Sequence, residues 1–248
     1  DIAFTKYFLK SCDAFITMSD EVMNDLRRFE KNKPAEKVIH PLYDNFGEII
    51  PKAVARVILN ERFSFNISAT EKVILFFGFI RKYKGLDILL RAMAEPGIRE
   101  AGIRLLVAGE YYDDEKMYLD LIEKLKIADR LILKTDFIPD SEVQYYLCAA
   151  DAVIQPYRHA TQSGVTPLAY HFEKPMVVSN VGSLPDHVIH EQTGLVAAPD
   201  PSSIARAVLR FYELGEDYFI PHLRTEKKKY SWKNLVNTIL GLSHDIQK

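Results

Sequence analysis

The chain is poor in the features that build a covalent or membrane-spanning framework. Among its 248 residues only two are cysteines, Cys12 and Cys148, and both lie in apolar surroundings. That count excludes a disulfide scaffold and fits a reducing compartment. No apolar run reaches the ~18 residues that span a bilayer, and no signal-peptide pattern is visible, so a cytoplasmic place is expected. A net charge of −2 argues against a broad basic face for nucleic acid. The lysine run at Lys227 to Lys229 reads as a solvated helix end. Several catalytic signatures are also missing. There is no Asp-x-Asp to hold a divalent metal on a sugar nucleotide, and no Gly-x-Ser-x-Gly elbow for a serine nucleophile. Neither the P-loop pattern nor Gly-x-Gly-x-x-Gly occurs, so a dinucleotide fingerprint is unsupported. His187 and His190 stand three apart, which is not the zinc-protease spacing, and no metal site is expected.

What the chain does have is a core-forming share of apolar residues, 48%, and a regular alternation of strand and helix patterns from about residue 72. Strands are expected at 72–77, 103–108, 131–133, 152–155, 176–179 and 194–197. Their short, wholly apolar runs suit a sheet covered on both faces. The first following helix carries Leu86, Leu89, Leu90 and Met93 at i, i+3, i+4 and i+7. The next places Met117, Leu121 and Leu125 on one face. Ser141 to Gln144 reads as a capping box opening a helix to Ala150. A helix over 164–172 tolerates Pro167 in its first turn. Asp200-Pro201 opens a helix to about Leu214. Alternation at this spacing predicts an α/β fold with a parallel sheet and right-handed crossovers. The first 70 residues offer less: a strand at 14–18, a helix from Ser19 to about Phe29 and a short strand at Val38-Ile39. That is about one and a half βα units, below the size of an independent domain. With Asp1 in place of a methionine, it reads like the tail of a larger domain.

Two segments carry the chemistry, Phe76 to Gly85 and Tyr157 to Pro167. Each follows a strand and opens a helix, so an open sheet would bring both to one edge, where backbone N–H groups can hold an anion. Gly78 permits close approach to the backbone. Arg81, Lys82 and Lys84 concentrate positive charge, and Gly85 starts a helix. In the second segment Thr161, Gln162, Ser163 and Gly164 could hold a diphosphate or simply cap the helix. His159 admits both a ligand role and that of a surface histidine.

The ordered motifs Phe77-Gly78-Phe-Ile-Arg81-Lys-Tyr-Lys84-Gly85, Leu106-Val-Ala-Gly109-Glu110, Phe137-Ile-Pro-Asp140, Thr161-Gln-Ser-Gly164, Glu173-Lys-Pro175, Asn180-Val-Gly182-Ser-Leu-Pro185 and Thr193-Gly194-Leu195 resemble the retaining glycosyltransferases of family 4. The resemblance implies a GT-B architecture, with two Rossmann-like domains facing a cleft. Residues 1–48 would be a remnant of the acceptor domain, 49–230 the donor-binding domain, and 231–248 a helix crossing back. It implies that Arg81 and Lys84 act catalytically by neutralising the diphosphate leaving group. Gly78, Phe79, Gly85, Glu110, Phe137, Ile138, His159, Thr161, Gln162, Ser163, Gly164 and Val165 would bind the donor, with Phe137 and Ile138 beside the base. Many members carry two glutamates, one beside the donor sugar and one on the nucleotide ribose; the matching positions here are Ala160 and Leu168. The arginine usual after the loop glycine is Phe79, with Arg81 as a substitute.

The expected activity is transfer of a sugar from a UDP-, GDP- or ADP-sugar to a glycan or lipid-linked acceptor, with retention and without cofactor or metal. A lipid-linked acceptor would bring peripheral association with the inner face of the membrane. The alternative is a nucleotide-sugar or partner-binding module of the same fold that has lost catalysis.

Overall fold

The computed structural model describes residues 2–246; Asp1, Gln247 and Lys248, the outer ends of the first and last expected units, lie outside the described residues. The first unit is small because its sequence supplies only two short strands. α1 (Ile2–Lys10) leads to β1 (Phe15–Thr17), α2 (Asp20–Phe29) and β2 (Ala35–Lys37). The strands pair in parallel, Phe15 opposite Ala35. Ser19 caps α2, its Oγ accepting from Val22 N at 3.2 Å. The strand expected at Val38-Ile39 lies three residues earlier. Backbone register decides it, since Phe15 N donates to Pro34 O at 3.0 Å and starts the ladder there. Val38 is buried all the same.

α3 (Lys52–Phe63) enters the second unit, and β3 (Val73–Phe77) is buried at every position. The chain continues through α4 (Leu86–Met93), α5 (Pro96–Glu100), β4 (Arg104–Ala108), α6 (Glu115–Leu125), β5 (Leu131–Lys134), α7 (Val143–Ala149), β6 (Ala152–Gln155), α8 (Val165–His171), β7 (Met176–Ser179), α9 (Leu184–His187), β8 (Gly194–Ala197), α10 (Pro201–Leu214), α11 (Glu216–Lys227) and α12 (Trp232–Ile246). The six strands of this unit form one parallel sheet in the order β5-β4-β3-β6-β7-β8. The chain runs outward from β3 to β5, then returns to β6 on the other side of β3 and runs outward again. The ends of β3 and β6 therefore part in opposite directions, and a crevice opens beyond their C-terminal ends. Helices cover both faces: α10 packs on α4 and α5, α4 on α6, α3 on α7 and α11 on α8.

Two expectations fail on side-chain detail. On α6 the buried face is Tyr118, Leu121 and Ile122, while Met117 is exposed. The helix is rotated to bury the Tyr118 ring, which stacks on Tyr111 at 5.5 Å. No capping box forms at Ser141. Asp140–Glu142 is a 3₁₀ turn after Pro139, and Gln144 turns outward, its Oε1 accepting from Glu48 N at 3.2 Å.

A buried polar cluster ties the opposite edge of the sheet. Asp151, just before β6, accepts from Val73 N at 2.7 Å, Tyr212 OH at 2.9 Å and Lys52 Nζ at 2.5 Å. Arg56 reaches it at 3.3 Å and also donates to the Ser68, Ala69 and Ala149 carbonyls. Glu216 completes the cluster by pairing with Lys52 and Lys174.

Candidate functional site

The crevice is shaped first by glycine. Gly78 ends β3 with φ 87°, and Gly109 ends β4 with φ 144°. A Cβ on Gly109 would overlap the Gly78 carbonyl oxygen, so the two strand ends meet only because Gly109 carries no side chain. Gly109→Ala is therefore expected to destabilise the fold by roughly 1–3 kcal/mol, read as a lowered midpoint in thermal unfolding.

The basic loop then folds inward. Lys82–Lys84 make one 3₁₀ turn, with Lys84 N donating to Arg81 O at 2.8 Å. Gly85 turns left-handed at φ 69° and seats against the Pro156 backbone, where any side chain would overlap a carbonyl. Arg158 clamps the two loops together. It pairs with Asp87 through both guanidinium nitrogens at 2.9 and 2.8 Å, and its N–H donates to Tyr83 O. The Lys84 side chain is left 9% exposed, its Nζ beside Gly78 and 6.0 Å from the Tyr157 ring centroid. Among the described residues no carboxylate pairs with it. Burial, helped by the nearby Arg81 charge, pulls its pKa down to about 8.

The second segment is held from below. Gln155 Oε1, at the end of β6, accepts from Ser163 Oγ at 2.7 Å and Thr166 Oγ1 at 3.3 Å. Ser163 Oγ in turn accepts from Val165 N at 3.2 Å. Gln155 Nε2 is buried with no partner.

Between these loops lies a cleft of about 390 Å³. Ten of the residues expected at a donor site line it: Gly78, Phe79, Lys84, Glu110, Phe137, Ile138, Gln162, Ser163, Gly164 and Val165. Leu168, at one of the missing glutamate positions, lines it too. Gly85 does not; its place is in the turn beneath. Arg81 does not line the cleft either; its guanidinium lies 4.8 Å over the Tyr112 ring, which contacts Phe79 at 4.5 Å. His159 and Thr161 fall in an adjoining cleft of about 330 Å³ together with Ala160. Sequence reasoning missed Tyr43 and Phe46, which reach the main cleft from the loop before α3. Tyr43 contacts Phe46 edge-on, and its OH meets His40 Nε2 at 3.3 Å. Only the aromatic content of that loop could have marked them.

The two remaining histidines of interest are engaged elsewhere. His190 Nδ1 accepts from Val196 N at 3.0 Å. His187 contacts Tyr230 OH at 3.3 Å, and burial holds its pKa below the ordinary value. Among the described residues no group of three or more side chains is placed to hold a metal, and no helix is long and apolar enough to cross a membrane.

A parallel sheet flanked by helices, with a crevice at its switch point into which Lys84 turns, defines an open, doubly wound α/β architecture. Residues 71–213 match the family described as glycosyl transferases group 1, and the chain belongs to that family. It is 32% identical over 190 residues to an uncharacterized glycosyltransferase, MJ1607, of Methanocaldococcus jannaschii, covering 74% of this chain and 47% of that protein. It is 29% identical over 185 residues to the D-inositol 3-phosphate glycosyltransferase of Acidothermus cellulolyticus, covering 70% of this chain and 41% of that one. The chain thus spans about half the length of the curated relatives it matches. The fold is that of GT-B glycosyltransferases. Sucrose-phosphate synthase from Thermosynechococcus elongatus aligns with TM-score 0.80 at 22% identity, over 99% of this chain and 61% of that one. Anabaena Alr3699/HepE in complex with UDP and glucose aligns with TM-score 0.77 at 15% identity, over 98% and 66%.

Proposed function

We propose that this chain holds the donor site of a retaining, metal-independent glycosyltransferase of family 4, acting on a nucleoside diphosphate sugar. The observation that carries the reading is Lys84, a buried cation with no carboxylate partner among the described residues, facing a cleft on a group 1 family fold. A buried charge is costly unless it meets an opposite one, and a diphosphate supplies that charge. Lys84, with the nearby charge of Arg81, would stabilise the departing nucleoside diphosphate. Cationic side chains would do there what a bound metal does elsewhere, in keeping with the absence of Asp-x-Asp. Phe137 and Ile138 would flank the base, and the Gln162 to Val165 backbone would meet phosphate or sugar. In this reading 49–230 is the donor domain, and 1–48 and 231–248 belong with an acceptor domain lying largely in sequence beyond these 248 residues. The acceptor would be a glycan or a lipid-linked one met at the cytoplasmic face of the membrane.

Calorimetric titration of this chain with UDP, GDP and ADP, in buffer containing EDTA, tests the reading. Selective binding of one nucleotide is expected. If none binds while the circular dichroism spectrum shows a folded chain, the reading fails.

Leu168 supports a second reading. It presents an apolar side chain to the cleft where the resemblance to family 4 implies a carboxylate for the ribose, as would suit a binding module without catalysis. Release of nucleotide from a sugar donor by the full-length protein separates the two: turnover excludes the module.

A further inference from the structure

The adjoining cleft of about 330 Å³ is built from both units. The second unit contributes Tyr83, His159, Thr161, Gln162 and Gly182, and the first unit contributes Glu21 from the first turn of α2. Gly182, at φ 51°, makes the meeting tight. The point where its side chain would begin overlaps the Ala160 carbonyl oxygen and lies 3.1 Å from Glu21 Oε2. The turn itself is pinned, because Ser183 donates through its N–H to Ala160 O at 3.1 Å and through its Oγ to Thr161 O at 2.6 Å.

The carboxylate at this spot is exposed and free to meet a ligand. Asp20, next in sequence, pairs with Lys37 at 2.6 Å. The Glu21 side chain makes no ion pair or hydrogen bond with another described residue. Its neighbours in the cleft are an imidazole, a hydroxyl, an amide and a phenol ring. A carboxylate in such company repels phosphate and accepts hydrogen bonds from neutral hydroxyls. Tyr83 and Gln162 line this cleft and the main one alike. A ligand with its phosphates at Lys84 can therefore extend a neutral, hydroxyl-rich end toward Glu21.

We infer that Glu21 is a specificity-determining residue, whose carboxylate accepts the hydroxyls of the sugar on the nucleotide donor. The inference rests on the donor-site reading above. It assigns to the first unit a hydrogen-bond acceptor that Ala160 cannot provide from the second.

The test compares each nucleotide with its sugar conjugate on the full chain: UDP with UDP-glucose, GDP with GDP-mannose, ADP with ADP-glucose. In the parent chain one conjugate should bind about tenfold more tightly than its diphosphate. Glu21→Ala should erase that margin and leave the diphosphate Kd unchanged, which also shows that the variant is folded. Glu21→Gln, which keeps one acceptor oxygen, should retain part of the margin. The inference is overturned if the parent shows no margin, or if Glu21→Ala leaves it intact. Absence of all nucleotide binding instead sinks the donor-site reading, and this inference with it.

Discussion

A Lys84→Met chain is expected to bind its nucleoside diphosphate roughly 30- to 1000-fold more weakly, because removing one partner of a buried charge pair costs about 2–4 kcal/mol. The same variant should be more stable than the parent when empty. Burial holds the Lys84 pKa at about 8 against an ordinary value of 10.5, so the charged form is disfavoured in the folded state. The unfolded chain then binds more protons than the folded one between those two values. The cost of the charge is fully present below about pH 8 and is relieved as pH rises toward 10.5. Near neutral pH it amounts to something on the order of 3 kcal/mol. Methionine keeps the apolar stem and discards the charge. Thermal unfolding at pH 7 and pH 10 should therefore show the variant's advantage shrinking with alkali. A residue that lowers stability yet sits in a cleft is intelligible as a binding group, and loss of affinity with gain of stability is the signature that separates it from a packing residue.

The opposite outcome is expected at the other edge of the sheet. Asp151→Ala should destabilise the chain by about 3–5 kcal/mol, because it strands Arg56, 2% exposed, beside a half-satisfied Lys52. For a chain of this length that corresponds to a fall in Tm of roughly 6–20 °C. The carboxylate also holds Val73 N and Tyr212 OH, so β3, β6 and α10 lose a common anchor. Burial opposes the charge on Lys52, yet Asp151 and Glu216 together outweigh it and raise its pKa. A raised lysine pKa contributes stability that is present below 10.5 and lost only as pH climbs beyond that value, so the cluster should hold throughout the neutral range. Because it lies at the far edge from Lys84, nucleotide affinity measured below the variant's Tm should be unchanged. A change of less than about 2 °C would show that solvent, not Asp151, satisfies these cations.

The strands of the large sheet were legible because burial on both faces forces short apolar runs; 152–155, 176–179 and 194–197 are strands residue for residue. Legibility fell where neighbours decide. β2 has two charged residues among its three and is positioned by register with β1. The buried face of α6 follows the Tyr111–Tyr118 stack, which periodicity cannot foresee. α3 went unread because its sequence mixes apolar and charged residues without a clean stripe. α11 carries Pro221 in its interior and buries only Phe219 and Leu223. At the site, the basic loop announced itself by composition, but which of its cations turns inward depended on the Gly85 turn against Pro156. Gly85 looked like a ligand-facing glycine and is a packing one. Tyr43, Phe46 and Glu21 come from sequence more than 30 residues upstream of the basic loop, and only the folded chain brings them to the cleft.

The proposed role of Lys84, a buried lysine of lowered pKa, is to receive the phosphate charge of the donor. Its most direct test is calorimetric titration at pH 8, with whichever of UDP, GDP or ADP binds, in two buffers of different ionisation enthalpy. Near its pKa of about 8 the free lysine is half protonated, and an arriving diphosphate draws that pKa back up. Binding should then take up about half a proton, with uptake vanishing below pH 7 and in the Lys84→Met chain. Tight binding with no proton uptake at pH 8 would mean that the phosphates lie elsewhere and would contradict the account.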